Sequence, residues 1–248
     1  MLATLFLFAG CEKDLLENVH DAGADADLPV VDAPVGRCKA PTTDPPPAAQ
    51  YTLFVNFDGV TLGVCSSPDS RANCSNLIQT DTTFPAFLDG NPARDSFIAS
   101  ILFPVRKALA PYSIDVVTTR PASGNYYMMV VGGTPALIGA PSGVGGIAPA
   151  SCNPADLRNG VSLIFDRGQA PTTSDYASSI LSDMGVFAAI PVTNSPVTDC
   201  LCRVNGCDFK GGLCTYGVNS TVNPDPQFNC GLTAVDEPAM LQAVLGCR

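Results

Sequence analysis

Eleven cysteines in a chain of 248 residues are the feature that most constrains how this sequence can fold. Cytosolic proteins rarely carry so many, because thiols there are kept reduced, whereas secreted domains pair their cysteines as disulfides. The sequence therefore predicts an oxidising compartment and a domain held together by several disulfides. Because the total is odd, one cysteine needs a separate explanation.

The N-terminus supplies that explanation. Residues 1–10, MLATLFLFAG, are apolar and too short to span a membrane as a helix, a length typical of a signal peptide. They run directly into Cys11, and FAGC resembles the bacterial lipobox, in which small residues precede a cysteine that is lipidated and becomes the mature N-terminus. We predict a lipoprotein signal peptide with its lipidated cysteine in residues 1–11. A shortened ordinary signal peptide is the alternative.

This interpretation predicts the location and one partner. The protein would lie in the cell envelope, with the outer membrane favoured, held to the membrane by the lipid, or else be secreted. Net charge is −10, so repulsion from phosphates argues against nucleic acid as a partner.

Ten cysteines then remain as disulfide candidates, and their spacing leaves the pairing open. Cys65 and Cys74 are close enough in sequence for a local bridge. The stretch CLCRVNGC also admits a zinc site, but a secreted chain favours disulfides. The candidates are Cys38, Cys65, Cys74, Cys152, Cys200, Cys202, Cys207, Cys214, Cys230 and Cys247.

Composition divides the remaining chain into two parts. Residues 12–50 are acidic, rich in Ala, Asp and Pro, and show no apolar period, which predicts a disordered tether. The alternative is an extension packed on the domain through Cys38. Residues 51–248 are predicted to form one domain, whose cysteine-rich C-terminal part, 199–248, we call the cap.

Periodicity within the domain predicts an α+β fold: a mixed twisted sheet with two main helices and the disulfide-rich cap. Residues 60–90 are predicted to be a loop, and GAPSGVGG, in the Gly/Pro-rich stretch after residue 131, is predicted to be a surface loop or a sheet edge. Asn91 and Asp236 are predicted N-caps of the first and last helices. The predicted strands are YTLFVNF, SIDVVTT, YYMMVVGG and VSLIF, and the predicted helices cover about 91–111, 174–190 and 236–246.

Few residues are suited to catalysis. The single histidine, His20, lies in the predicted tether, so histidine-based catalysis is not expected. The glycines of GAPSGVGG fit no phosphate-binding motif. Carboxylates beside predicted strands and helices leave open a hydrolase that works through acids or through a metal held by aspartates; they are Asp58, Asp166, Asp175 and Asp183.

The predicted helix YASSILSDMGVFAAI carries a spacing that raises a further question. One face is apolar, and on another Ser182 and Val186 are four residues apart, with Asp183 following the first. Many zinc proteases place two histidines at that spacing, with a glutamate after the first. The apolar core face comprises Tyr176, Ile180, Leu181, Met184 and Phe187.

The segments within residues 51–190 resemble, in their order and in their sequences, those of secreted bacterial lipoproteins related to metzincin-type zinc metallopeptidases. The resemblance implies a zincin-like fold in which the helix of residues 182–187 carries a degenerate His-Glu-x-x-His motif. Ser182, Asp183 and Val186 fall at that motif, Ala189 falls at a following glycine, and Val192 falls near a third histidine. Leu201 takes the place of a methionine turn.

Active relatives hold zinc through three neutral imidazoles, none of which this sequence offers. We therefore predict no catalytic residue, no metal and no cofactor, and vestigial positions at Ser182, Asp183 and Val186. The function would be binding or structural, with a peptide or protein ligand in the former substrate cleft. The alternatives are an active hydrolase, a purely structural envelope lipoprotein, and an unrelated domain in which this segment is an ordinary core helix.

Overall fold

The computed structural model describes the backbone of residues 4–7 and the whole of residues 37–166, 172–194, 198–202, 213–225 and 229–248. The helices are α1 (Arg94–Leu109), α2 (Thr173–Phe187) and α3 (Glu237–Leu245), with short 3₁₀ turns at Pro135–Ile138 and Pro154–Leu157. The strands are β1 (Thr4–Leu7), β2 (Tyr51–Asn56), β3 (Val60–Val64), β4 (Cys74–Ser75), β5 (Thr82–Phe84), β6 (Ile114–Val117), β7 (Tyr127–Val131), β8 (Gly146–Ala150), β9 (Val161–Ile164), β10 (Ser220–Thr221) and β11 (Ala234–Val235).

A six-stranded mixed sheet forms the centre of the domain, in the order β1-β8-β9-β7-β2-β6. Strands β6, β2, β7 and β9 run parallel, whereas β8 is antiparallel to β9 and β1 is antiparallel to β8. Strand β7 is buried along its whole length, as expected for a parallel strand covered on both faces. The predicted mixed α+β class is confirmed.

The two faces of this sheet pack against different layers. Alternate residues point to opposite faces of a strand, so Tyr127, Met129 and Val131 pack with the helices, while Met128 and Val130 join a second core cluster. The helical layer holds α1 and α2, which contact one another as well as the sheet. The two main helices of the prediction therefore cover one face together.

The prediction of a loop at residues 60–90 is wrong. This segment contains β3, β4 and β5, which form a three-stranded sheet in the order β4-β3-β5. Four apolar side chains of this segment belong to the second core cluster. They cover the face of the central sheet that lies opposite α1 and α2. They are Leu62, Leu77, Ile78 and Phe84.

The Gly/Pro-rich stretch after residue 131 is also more ordered than a loop. It contains the strand β8. Pro149 in this strand has no N–H to donate, and sheets accept proline mainly in edge strands. Gly132 has a φ of 135°, and a side chain there would lie 2.8 Å from the carbonyl oxygen of Pro85. Glycine at position 132 therefore permits a close backbone contact. The glycines and prolines of this stretch also made the strand hard to recognise from the sequence.

Helix boundaries agree with the prediction except at the start of α1 and at the end of α2, which stops at Phe187 and not at residue 190. Helix α1 begins at Arg94, after the predicted N-cap Asn91, whose Oδ1 instead accepts the N–H of Ala93 at 2.9 Å. The helix continues through Pro104 to Leu109. At α3 the predicted cap is confirmed, since Asp236 accepts the N–H of Ala239 at 3.1 Å.

All nine cysteines among the described residues are in disulfides, which confirms the predicted disulfide content. Cys202 is one of them, so the disulfide interpretation holds for it and for Cys200. Cys11 and Cys207 lie outside the described residues. The four described pairs are Cys38–Cys247, Cys65–Cys74, Cys152–Cys230 and Cys200–Cys214.

The last part of the predicted tether, residues 37–50, lies against the domain. Cys38 is bonded to Cys247 and donates its N–H to Gln242 at 3.1 Å. Arg248 donates to the carbonyl of Pro47 at 2.9 Å and pairs with Asp115. The packed extension that Cys38 suggested therefore exists at 37–50, while residues 8–36 lie outside the described part.

Candidate functional site

Helix α2 lies between the sheet and the cap, and all of its residues from 176 to 187 are buried. It starts with a capping box, in which Thr172 and Asp175 satisfy each other's backbone N–H groups. The predicted core face is confirmed on the sheet side. Phe187 stacks on Tyr127 with ring centroids 5.2 Å apart, and Tyr176 meets Phe87 edge to face at 5.0 Å.

The opposite face of α2 is covered by two parts of the cap, residues 198–202 and 213–222, which we call the covering segments. Ser182 donates from Oγ to the carbonyl of Cys200 at 2.5 Å, and Cys214 donates its N–H to Ser178 Oγ at 3.0 Å. Gly185 lets Leu201 approach, because a Cβ there would lie 2.7 Å from the leucine side chain. The cap therefore sits directly on the helix backbone.

The positions implied by the resemblance share this helix but do not line an open cleft. Ser182 and Asp183 are 0% exposed and Val186 is 3% exposed. Val192 and Leu201 are buried as well. We expected an open former substrate cleft beside these residues; instead the covering segments fill that space.

The turn after α2 has an unusual backbone. Ala189 has a φ of 56°, in the left-handed region that favours glycine, and is the position at which the resemblance implies one. Ile190 donates its N–H to the carbonyl of Gly185 at 3.0 Å, which closes the end of the helix. An alanine therefore occupies a conformation suited to glycine.

Sequence reasoning missed a buried pair of carboxyl groups in the cap. Asp199 is 3% exposed and accepts the N–H of Leu201 at 2.7 Å and the hydroxyl of Ser220 at 2.8 Å. Glu237 is 0% exposed and accepts the N–H of Gly217 at 3.0 Å. Burial, the charge of Asp199 and a hydrogen bond to it raise the pKa of Glu237 to about 8.

No local signal marked this pair. Glu237 follows the N-cap of α3, where an acid is common because it favours the helix N-terminus. Asp199 sits in a stretch without periodicity. The two carboxyls meet only because the cap folds back on itself.

Tyr216 ties the same region to α2. Its hydroxyl donates to the carbonyl of Leu181 at 2.5 Å. Burial raises its pKa well above the usual value, and the nearby charges of Glu237 and Asp183 act in the same direction. The phenol therefore stays protonated and keeps its hydrogen bond.

The four carboxylates considered from the sequence have separate surroundings. Asp58 is exposed and pairs with Arg94 at 2.6 Å, and Asp175 belongs to the capping box. The backbone N–H of Asp166 binds the carbonyl of Gly133 at 2.8 Å, and Asp183 is buried beside Tyr216. Within the described ranges, no three acidic, histidine or cysteine side chains are grouped so that they could hold a metal ion.

A second feature lies at the edge of the central sheet. Strand β1 pairs with β8 over four residues, from Thr4 opposite Ala150 to Leu7 opposite Ile147. On its other side β8 pairs with β9 only through Gly146 and Ile147. Strand β8 thus offers its outer edge to an added antiparallel strand.

Comparisons with models of protein families, with curated proteins and with solved structures found no match to this chain. In the part of the chain that the structure describes, no helix is long and apolar enough to cross a membrane.

Proposed function

We propose that this chain is a lipid-anchored extracytoplasmic binding protein, built on a metzincin-like domain without a catalytic zinc site. It binds an extended peptide segment along the outer edge of β8. The observation that carries the proposal is the antiparallel pairing of Thr4–Leu7 with Gly146–Ala150.

The zincin-like part of the proposal is supported by the order of elements and by α2. Strand β2, helix α1, strands β6, β7 and β9 and helix α2 follow the order that the resemblance implies, and α2 packs on the sheet. The left-handed backbone at Ala189 also fits the glycine of the family pattern. The imidazoles that would hold zinc are absent from the sequence.

The proposed peptide binding is supported by the exposed sheet edge that signal-peptide cleavage would leave. Cleavage before Cys11 would remove β1 and leave β8 as an edge strand with unpaired backbone groups. Such edges accept extended peptides through main-chain hydrogen bonds, with side-chain pockets adding specificity. An envelope protein with this edge would suit a partner that presents an extended apolar segment.

The carboxylate-hydrolase alternative has weaker support. The two buried acids that interact in the cap, Asp199 and Glu237, are 3% and 0% exposed. A substrate could not reach them without displacing the cap.

The test is a titration of a synthetic peptide carrying residues 3–8, ATLFLF, between solubilising lysines. The receptor is the chain from residue 12 onward, secreted so that its disulfides form. We expect saturable binding that raises the hydrogen-exchange protection of β8. The full-length chain should bind the same peptide more weakly, because its own β1 competes.

Two N-methylated peptides provide matched controls. Alternate residues of an antiparallel strand direct their N–H groups to the partner, so methylating residues 4 and 6 or residues 5 and 7 blocks opposite edges. One peptide should lose roughly tenfold or more in affinity and the other should bind as before. Equal binding by both, or no binding at all, would refute the edge site.

The anchor has its own test. Replacing Cys11 with serine should move the protein from the membrane fraction to the medium or periplasm. Unchanged fractionation would remove lipidation from the proposal without affecting the peptide site.

A further inference from the structure

The Asp199–Glu237 pair connects three parts of the cap. Asp199 belongs to the first covering segment and, through Ser220, reaches the second. Glu237 begins α3 and exchanges two hydrogen bonds with Gly217: it accepts the glycine N–H at 3.0 Å and donates its own N–H to the glycine carbonyl at 3.1 Å. The covering segments are therefore fastened to α3 through these two carboxyls.

Among the residues that the structure describes, none supplies the pair with a compensating positive charge. Within the described ranges, neither carboxyl forms an ion pair with a lysine, arginine or histidine. The donors present are the N–H groups of Leu201 and Gly217 and the hydroxyl of Ser220, and Glu237 Oε1 has no hydrogen-bond partner. Two buried carboxylates that interact repel one another, so burial and the charge of Asp199 favour a protonated Glu237.

Among the described residues near the pair, two tyrosines stay neutral. Tyr216, in the second covering segment, lies near Glu237 and near Asp183 of α2, and it stays protonated. On the outer side Asp236 pairs with Arg37 at 3.5 Å, and Tyr112 lies near both. Burial raises the pKa of Tyr112 to about 12, so it stays neutral as well.

We propose that the buried Asp199–Glu237 carboxyl pair is a pH-sensitive latch that holds the covering segments on α2 and releases them when Glu237 loses its proton. The contacts that hold the segments on the helix would then loosen together. They are Ser182 with Cys200, Ser178 with Cys214 and Leu181 with Tyr216.

Release would uncover the helix face at the vestigial positions. The Cys200–Cys214 disulfide lies within the covering segments and does not join them to α2, so it permits this motion. The latch stands on the cap geometry alone and is independent of peptide binding at β8.

The test is amide hydrogen exchange of the complete chain between pH 6 and pH 9.5, expressed as protection factors so that intrinsic base catalysis cancels. In the unmodified protein, protection in residues 199–201 and 214–222 should fall about tenfold or more, while that of β7 and β9 changes little. The variant Glu237→Gln, which cannot ionise at this position, should lose that pH dependence.

Asp236→Asn is the matched control, because it neutralises the neighbouring acid while keeping an N-cap, and it should behave like the unmodified protein. Asp199→Asn is a second variant of the pair and covers the case in which Glu237→Gln does not fold. It should shift the fall in protection to a lower pH, because it removes the like charge but leaves Glu237 buried. Constant protection in the unmodified protein, the same fall in Glu237→Gln, or an unshifted fall in Asp199→Asn would overturn the latch.

Discussion

The two sides of α2 are held by different physical forces. Towards the sheet, apolar side chains such as Phe187 and Tyr176 pack against aromatic rings. Towards the cap, Leu201 packs against the helix at Gly185. Serine hydroxyls, a tyrosine and a disulfide-bonded backbone add polar contacts there, with a buried acid pair behind them. The first side depends on apolar burial, which pH and redox conditions change little. The second side also depends on groups that titrate or can be reduced. A rise in pH or reduction should therefore loosen the cap side of α2 before the sheet side.

Among the substitutions considered, Phe187→Ala, on the sheet side of α2, should destabilise the protein most. This removes a fully buried ring that stacks on Tyr127, and we expect a loss of about 3–5 kcal/mol in the free energy of unfolding. Phe103→Ala is the control, since that ring is 72% exposed and should cost under about 0.5 kcal/mol. Denaturant unfolding measures both, and equal effects would contradict the assigned core.

The cap side should respond first to loss of its disulfide. Replacing Cys200 and Cys214 with serine opens a loop of sequence separation 14 and should cost about 3 kcal/mol. The loss should appear as proteolysis within the covering segments while the sheet stays protected. Replacing Cys65 and Cys74 is the comparison, and should leave the cap resistant; cap cleavage in that variant would argue against two separable sides.

The pH dependence of stability should come from the cap. A carboxyl whose folded pKa lies above its unfolded value contributes stability that is present below the unfolded pKa of about 4.5 and is lost as pH rises through the folded pKa. With Glu237 at about 8, unfolding free energy should fall by on the order of 2 kcal/mol between pH 6 and pH 9. Glu237→Gln should flatten that curve, whereas a curve that rises over this range would have the wrong sign.

Tyr216→Phe should have a smaller effect confined to the cap. It removes the hydroxyl that donates to the carbonyl of Leu181 and should cost about 1 kcal/mol. Thermal unfolding at pH 6 would report the loss. Tyr51→Phe is a matched control, because this tyrosine is only partly buried and stacks on Tyr127 through its ring. An equal loss in both variants would mean that the Tyr216 hydroxyl does not hold the cap.

Ala189→Gly should have the smallest effect, and it should be stabilising. Ala189 adopts a left-handed backbone that costs an L-residue free energy, so glycine should add about 0.5–1 kcal/mol after its own entropy cost. Ala188→Gly, one residue earlier with a negative φ, should destabilise instead. If Ala189→Gly also destabilised the protein, the left-handed backbone at this turn would not favour glycine.

The sequence predicted the regular parts of this molecule and missed the parts that depend on distant residues. Apolar period located β2, β7, β9, α2 and α3, because each buries a face that its own residues define. The short strands β3 and β5 escaped, and the pattern near β8 fitted a loop as well as a sheet edge, since glycines, prolines and threonines hide a half-buried strand. The Asp199–Glu237 pair escaped because only the folded cap brings the two acids together.

The covering segments close the α2 face that carries Ser182, Asp183 and Val186. Ser182→Cys tests this closure most directly, because the substitution is nearly isosteric and places a thiol at a side chain with no exposure. At pH 6.5 the account predicts maleimide labelling, followed by mass spectrometry, that is at least about 100-fold slower than at Ser96→Cys on the exposed side of α1. Equal labelling rates at the two positions would contradict it and would indicate an open cleft beside α2.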